Sequence, residues 1–200
     1  MAVTIGFSEP HVAKYSESGG VVTYSEGMKL ARGVELSIEV ESADDNNFYC
    51  DDIVGESETG VMTSGTATIT VDGMEPEAAV FVLGLPEAAQ ETIDEEQVEV
   101  YDYDDRMNPP YIGLGGIRKC MMHGVTYWEP IVLTKTKLNI PGDTMHTQED
   151  SIDWQTQELT APILRDDTPN RKWKRVFARQ TSKEAALNII KKYLKVTEGE

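Results

Sequence analysis

Basic residues are scarce through the first half of this chain. Of 18 lysines and arginines, only Lys14, Lys29, Arg32 and Arg106 fall in the first 110 residues, against 35 acidic residues overall and a net charge of −17. Binding DNA by counterion release needs clustered cations, so the acidic body is excluded from that role. Cysteine is nearly absent too. Cys50 and Cys120 make no disulfide framework, and both lie in strand-like segments where small buried thiols are expected. No apolar run approaches the roughly 20 residues needed to span a bilayer. No basic segment leads an apolar run at the N-terminus, so the chain is expected in a reducing cytoplasm unless exported within a particle. Neither a HExxH helix nor a nucleophile elbow occurs, and His11, His123 and His146 are scattered over different loops or turns.

What is present is alternation. A chain of 200 residues buries roughly 70% of its unfolded surface and holds a core without metals or staples; one domain is expected. Gly33 to Ser42 sets Val34, Leu36, Ile38 and Val40 against Glu35, Ser37, Glu39 and Glu41, which predicts a strand with one apolar and one acidic face. Ala43 to Asn47 should turn this strand and Phe48-Tyr49-Cys50 return it, because Asn and Asp tolerate left-handed backbone. Gly65 to Val71 alternates threonine with Ala67, Ile69 and Val71. Ile112 to Met122 leads through His123-Gly124-Val125 into Thr126 to Lys137, a predicted hairpin. Ile152 to Thr160, rich in Trp, Gln and Thr, suits a half-buried strand. Met1 to Arg32 reads as an irregular segment with a short strand at Val21 to Tyr24 and a flexible break at Ser16 to Gly20.

Two helices interrupt the strands. Pro76 at an early helical position, Glu75 and Glu77 beside it and Gly84 at the end frame the first; its Ala79 to Leu83 run is apolar enough to be buried. Ser182 caps the second, Lys183 to Leu194. There Ala186, Ile189, Ile190, Tyr193 and Leu194 form an apolar stripe, and Lys191, Lys192 and Lys195 complement the dipole.

Charge clusters offer little chemistry. The Asp51 to Gly60 loop fails the EF-hand spacing. The acidic run from Glu87 to Asp105, around a strand-like Val98 to Tyr103, reads as a solvated face, because a glycosidase pair needs one carboxyl raised by burial. Ten of the 18 basic residues lie from Arg165 onward, including Arg171-Lys172-Trp173-Lys174-Arg175 in a predicted basic strand from Asn170 to Ala178. That strand is either a solvated or protected edge or a contact onto the acidic surface of a neighbouring copy.

Several segments, taken in order, carry a resemblance. They are Asn47-Phe48-Tyr49-Cys50-Asp51-Asp52, the Gly73 to Gly84 helix, Tyr111-Ile112-Gly113-Leu114-Gly115, Val125-Thr126-Tyr127-Trp128, and Asp153-Trp154-Gln155-Thr156-Gln157-Glu158-Leu159-Thr160. Together with their flanks, from Gly33 to Phe177, they resemble the major tail (tail tube) proteins of long-tailed bacteriophages, especially those of Gram-positive hosts. The helix from Ser182 lies outside the resemblance.

The expected fold is mainly β, an antiparallel sandwich or partly open barrel with one internal and one C-terminal helix. Residues 1–32 should form an arm, 33–180 the sandwich and 181–200 the helix and tail. The resemblance implies a non-enzymatic virion protein without cofactor, made in the host cytoplasm. Its copies would form six-membered rings stacked into a conduit for phage DNA. Partners would be sister copies, a tape measure protein, and tail tip and terminator proteins, with no membrane. Glu35, Ser37, Glu39 and Glu41 would face the bore, and Arg171, Lys172, Trp173, Lys174 and Arg175 a neighbouring subunit. A monomeric β-sandwich binding module or a carboxylate-dependent hydrolase are the alternatives.

Overall fold

The computed structural model describes residues 2–147 and 154–197. A hairpin of β1 (Val3–Ser18) and β2 (Val21–Lys29) opens the chain. β3 (Gly33–Ser42) follows, then a ribbon of β4 (Asn46–Cys50) and β5 (Ile53–Glu58), and β6 (Met62–Val71). Helix α1 (Pro76–Leu83) leads to a second ribbon, β7 (Ala89–Ile93) and β8 (Glu96–Val100). β9 (Ile112–Met122) and β10 (Val125–Thr136) precede β11 (Gln157–Leu164), the short β12 (Lys174–Val176) and helix α2 (Lys183–Leu194).

Four hairpins close through two residues with positive φ at both positions: Gly19-Gly20, Asp51-Asp52, Asp94-Glu95 and His123-Gly124. This backbone geometry matches the right-handed twist of the strands it joins, which is why Gly, Asp and similar residues occupy it. The main strand order is β2-β1-β9-β10-β11-β6-β3, antiparallel throughout, with β12 also on β10. β10 and β11 pair only where Lys135 and Thr136 meet Leu164 and Ile163. There the path folds into two layers, β2-β1-β9-β10-β12 and β11-β6-β3.

Between the layers lies the main core. Val12, Leu114 and Leu133 come from the first sheet, Ile69, Leu159 and Ile163 from the second, and Val82 and Leu83 from α1. Each such side chain contributes about 1.5–3 kcal/mol by leaving water. Pro76 starts α1, and Gly84 ends it in left-handed backbone with its N–H donated to the Val80 carbonyl. On the outer face of the first sheet, Ala186, Ile190 and Leu194 of α2 cover Ala13, Tyr24, Ile117 and Val132. The Ser182 hydroxyl caps that helix by accepting the Ala185 N–H at 3.1 Å. Glycines at 113 and 116 admit the rings of Tyr24 and Phe7, which a Cβ at either position would strike.

The mainly antiparallel fold with two helices is as the sequence implies, but several local readings are corrected. Residues 1–32 are not irregular: β1 lies inside the first sheet, between β2 and β9. Its alternation is obscured by register shifts between Thr4 and Gly6 and between Ser8 and His11, the latter beside a positive φ at Glu9. β3 does not pair with the Phe48 strand but with β6, thirty residues away, while β4 pairs β5 inside the supposed Asp51 to Gly60 loop. The strand assigned to Val98–Tyr103 is instead the β7–β8 ribbon. The strand expected at Ile152 begins at Gln157; Trp154 is 84% exposed, and Ile152 and Asp153 lie outside the described residues. The basic strand shortens to Lys174–Val176, because the backbone at 166–172 is held in a loop. Cys120 is buried, but Cys50 is exposed on its ribbon.

Candidate functional site: an acidic sheet face and a basic strip

The second sheet keeps one face bare. Glu35, Ser37, Glu39 and Glu41 stand opposite Thr70, Thr68, Thr66 and Ser64 of β6, and Glu158 and Thr160 of β11 continue the same rows. The alternate residues Ala67, Ile69, Val71 and Leu159 point into the core. Glu35, Glu39 and Glu41 are exposed and Ser37 is half-buried. Ser64 donates its hydroxyl to Glu41 at 2.6 Å. β3, β6 and β11 contain no lysine or arginine. Carboxylates two residues apart on a strand are spaced about 6.6 Å, so this face presents a row of negative charge without a counter-cation in its own strands. Such a surface can repel phosphate.

The basic strip is built differently. Asp166, 5% exposed, accepts from the Thr168 N–H and hydroxyl and from the Lys172 N–H, and so ties the loop from 166 to 172 into a knot. Thr134 secures the next stretch, donating its hydroxyl to the Lys172 carbonyl at 2.8 Å and its N–H to the Trp173 carbonyl at 3.1 Å. Arg171 is exposed, in left-handed backbone. Lys174 lies over the Trp173 ring at 5.8 Å, and Arg175 over Tyr193 at 5.0 Å. Burial, with the nearby Arg118 charge, holds the Lys174 amine below its ordinary range. Among the described residues, no ion pair involves Arg171, Lys172, Lys174 or Arg175. Two recesses flank the strip. One of about 550 Å³ is lined by Val61, Met62, Arg165 and Arg171 to Lys174; another of about 460 Å³ by Phe7, Leu36, Ile38, Arg118, Ile131 and Lys174.

The sequence reading missed three features. Glu129, its side chain 8% exposed, accepts from Arg118 across the β9–β10 pair and from Arg179 at 3.1 Å. A glutamate in an apolar strand run opposite an arginine was the available signal. His11 is buried, with Nδ1 3.0 Å from the Glu9 carbonyl, and burial holds its pKa below the usual value. Burial alone would raise the Glu9 carboxyl, but Lys183 at 2.7 Å and Lys29 at 3.2 Å outweigh that and keep it below the carboxylate range. Third, the β4–β5 ribbon exposes Phe48, Tyr49, Ile53 and Val54. The Asp51-Asp52 pair between β-prone residues was the signal for its tight turn.

The acidic run forms an open ribbon with Glu91, Glu95, Glu96 and Glu99 all in water, so it encloses no carboxyl pair. Among the described residues no group of three or more His, Cys, Asp or Glu side chains is placed to hold a metal ion, and no helix is long and apolar enough to cross a membrane. No protein-family model matches the chain, and no curated protein sequence matches it.

Proposed function

We propose that this chain is a structural virion protein, the tail tube subunit of a long-tailed bacteriophage, whose copies join into six-membered rings stacked around a bore. The observation that carries the reading is the ordered run of tail-tube-like segments from Gly33 to Phe177 on a two-sheet fold that ends at the strand β3. β3, ten residues long, ends the second sheet, and among the described residues no strand pairs with its outer edge. An exposed edge of that length invites pairing with another chain. Joining sheets from copy to copy into a closed barrel removes such edges.

In this reading the face with Glu35, Ser37, Glu39 and Glu41 lines the bore and keeps passing DNA from sticking. Repulsion screened over about 8 Å at physiological salt acts only at close approach, which suits a narrow conduit. The strip from Arg171 to Arg175 meets a neighbouring subunit. Sister copies, a tape measure protein and the tail tip and terminator proteins are the partners, and the subunit works without cofactor or catalysis. It is made in the host cytoplasm and ends in the virion.

Negative-stain microscopy of the purified chain tests the reading: rings or tubes are expected, and a monomer at millimolar concentration would end it. Exposed Phe48, Tyr49 and Trp154 favour one second reading, a monomeric β-sandwich binding module. That protein would stay monomeric and bind a ligand through those rings.

A further inference from the structure

The β4–β5 ribbon is an unfinished structure. Every residue of both strands is exposed, yet Phe48 and Tyr49 are each 64% and Ile53 66% open to water. A two-stranded hairpin standing alone in water is at best marginally stable, and exposed aromatic clusters of this kind mark contact surfaces. Its charge says what kind of surface would cover it. Residues 43–61 hold Asp44, Asp45, Asp51, Asp52, Glu56 and Glu58 and no lysine or arginine. The β7–β8 ribbon is also acidic and exposed but contains no aromatic anchor.

Its complement is present in the same molecule. Arg171, Lys172 and Lys174, which form no ion pair among the described residues, line a recess with Trp173. Among the described residues, no strand pairing joins the tip of the ribbon to the recess of its own chain. Val61 and Met62, at the base of the ribbon, line that recess themselves, and Arg165 is tied to the Met62 carbonyl. β4 runs five residues from Asn46 to the turn, a rise of about 16 Å. The tip is therefore carried away from the base of the ribbon by that length.

We infer that the tip of the β4–β5 ribbon, centred on Phe48, Tyr49, Asp51 and Asp52, docks into the basic recess at Arg171–Lys174 of a second copy of this chain. The contact joins two different patches, so each copy donates once and accepts once, and the join propagates instead of closing a two-fold dimer. The aromatic rings supply the buried anchor, and the opposed charges set orientation and association rate. The inference deepens the tail reading by naming the surfaces that join copies; it rests on self-assembly but not on DNA transit.

Mixing two broken copies tests it. Phe48→Ser/Tyr49→Ser keeps the recess but loses the tip; Arg171→Glu/Lys172→Glu keeps the tip but loses the recess. Far-UV circular dichroism should match wild type for both. In sedimentation velocity each alone should associate at least about tenfold more weakly than wild type. A one-to-one mixture should restore the contact once per pair, giving a particle of twice the mass of the separate variants, because each pair has its remaining tip and its remaining recess dead. A second pair guards against loss of the ribbon fold: Glu56→Lys, paired with Phe48 on the ribbon, should weaken association, and adding Lys172→Glu to the same chain should restore it. Association like wild type in the single variants, or a mixture that never doubles, overturns the docking and leaves the tail reading standing. Doubling without any tube in micrographs overturns the tail reading and leaves the docking. A wild-type chain still monomeric at about 1 mM removes both.

Discussion

The two sheets share a core but differ in what covers their backs. In the first, β9 is buried at every position from Ile112 to Ile117, and β10 from Glu129 to Thr134, because the other sheet lies on one side and α2 on the other. In the second, β6 alternates: Thr66, Thr68 and Thr70 face out while Ala67, Ile69 and Val71 face in. A sheet covered on both faces loses its period-two pattern, and one with a wet face keeps it. The alternation at Thr66–Val71 therefore marks a face left in water, whereas β3 exposes Val34 and Val40 as well as its glutamates. The near-continuous apolar run at Ile131-Val132-Leu133 identifies the layer completed within the chain. Charge follows the same division: the bare sheet has no basic residue in its three strands, whereas β1, β2, β9, β10 and β12 of the covered sheet and α2 all hold lysine or arginine.

Breaking the cover should cost most. Leu194→Ala or Ile190→Ala removes a fully buried α2 side chain from the first sheet, and each should lower unfolding free energy by about 2–5 kcal/mol in urea titrations. A loss under 1 kcal/mol would mean that α2 is not integral to this layer. Overpacking comes next. A methyl at Gly116 strikes the Phe7 ring, so Gly116→Ala should cost about 1–3 kcal/mol, whereas the same change at Gly124, which has open space around it, adds no clash but strains a positive-φ turn. Equal melting losses would show that the turn strain matters as much as the interlayer contact.

A smaller effect is carried by pH. His11, on β1, has its folded pKa held below the ordinary 6.5, so the unfolded chain takes up that proton first. Its contribution is fully present above about 6.5, begins to fall as the pH drops below that value and is lost through the lower folded pKa. Glu9 and Lys29 face the same site, and Lys183 and Lys191 approach it from α2. Glu9, also depressed, adds a loss at more acidic pH, below about 4.5. The melting temperature should therefore decline from pH 7 toward pH 5, and His11→Gln should flatten that decline; an unchanged slope would remove the assignment.

The bare face should respond least in stability and most in the proposed passage of DNA. Replacing Glu35, Glu39 and Glu41 with lysine should shift unfolding free energy by no more than about 0.5 kcal/mol per site, yet slow genome ejection or block infection. Unchanged ejection and infectivity would end the idea of a repelling wall.

Much of the fold was legible where its signals are short. The α1 and α2 bounds follow from Pro76, Gly84 and Ser182, and the β9–β10 hairpin from His123-Gly124, because caps and tight turns are decided within a few residues. β1 was hidden by its bulges around Gly6 and Glu9, which break the period. The partner of β3 was misread because Ala43 to Asn47 looks as much like a tight turn as Asp51-Asp52, and only the second one closes a hairpin. Of the site, the Glu35–Glu41 row was legible as a strand face. The loop centred on Asp166, the buried Glu129 and the aromatic tip were not, since each depends on residues brought together from distant parts of the chain.

By itself the sequence determined which residues alternate, where chains turn and cap, and how charge divides between body and tail end, since these are properties of neighbours. Only the tertiary structure decided that Val3–Ser18 lies within a sheet, that α2 covers one layer and leaves the other bare, and that the acidic β4–β5 ribbon is exposed along both strands. Strand pairing over thirty or a hundred residues is chosen by the burial available to the whole chain, and no local stretch contains that information.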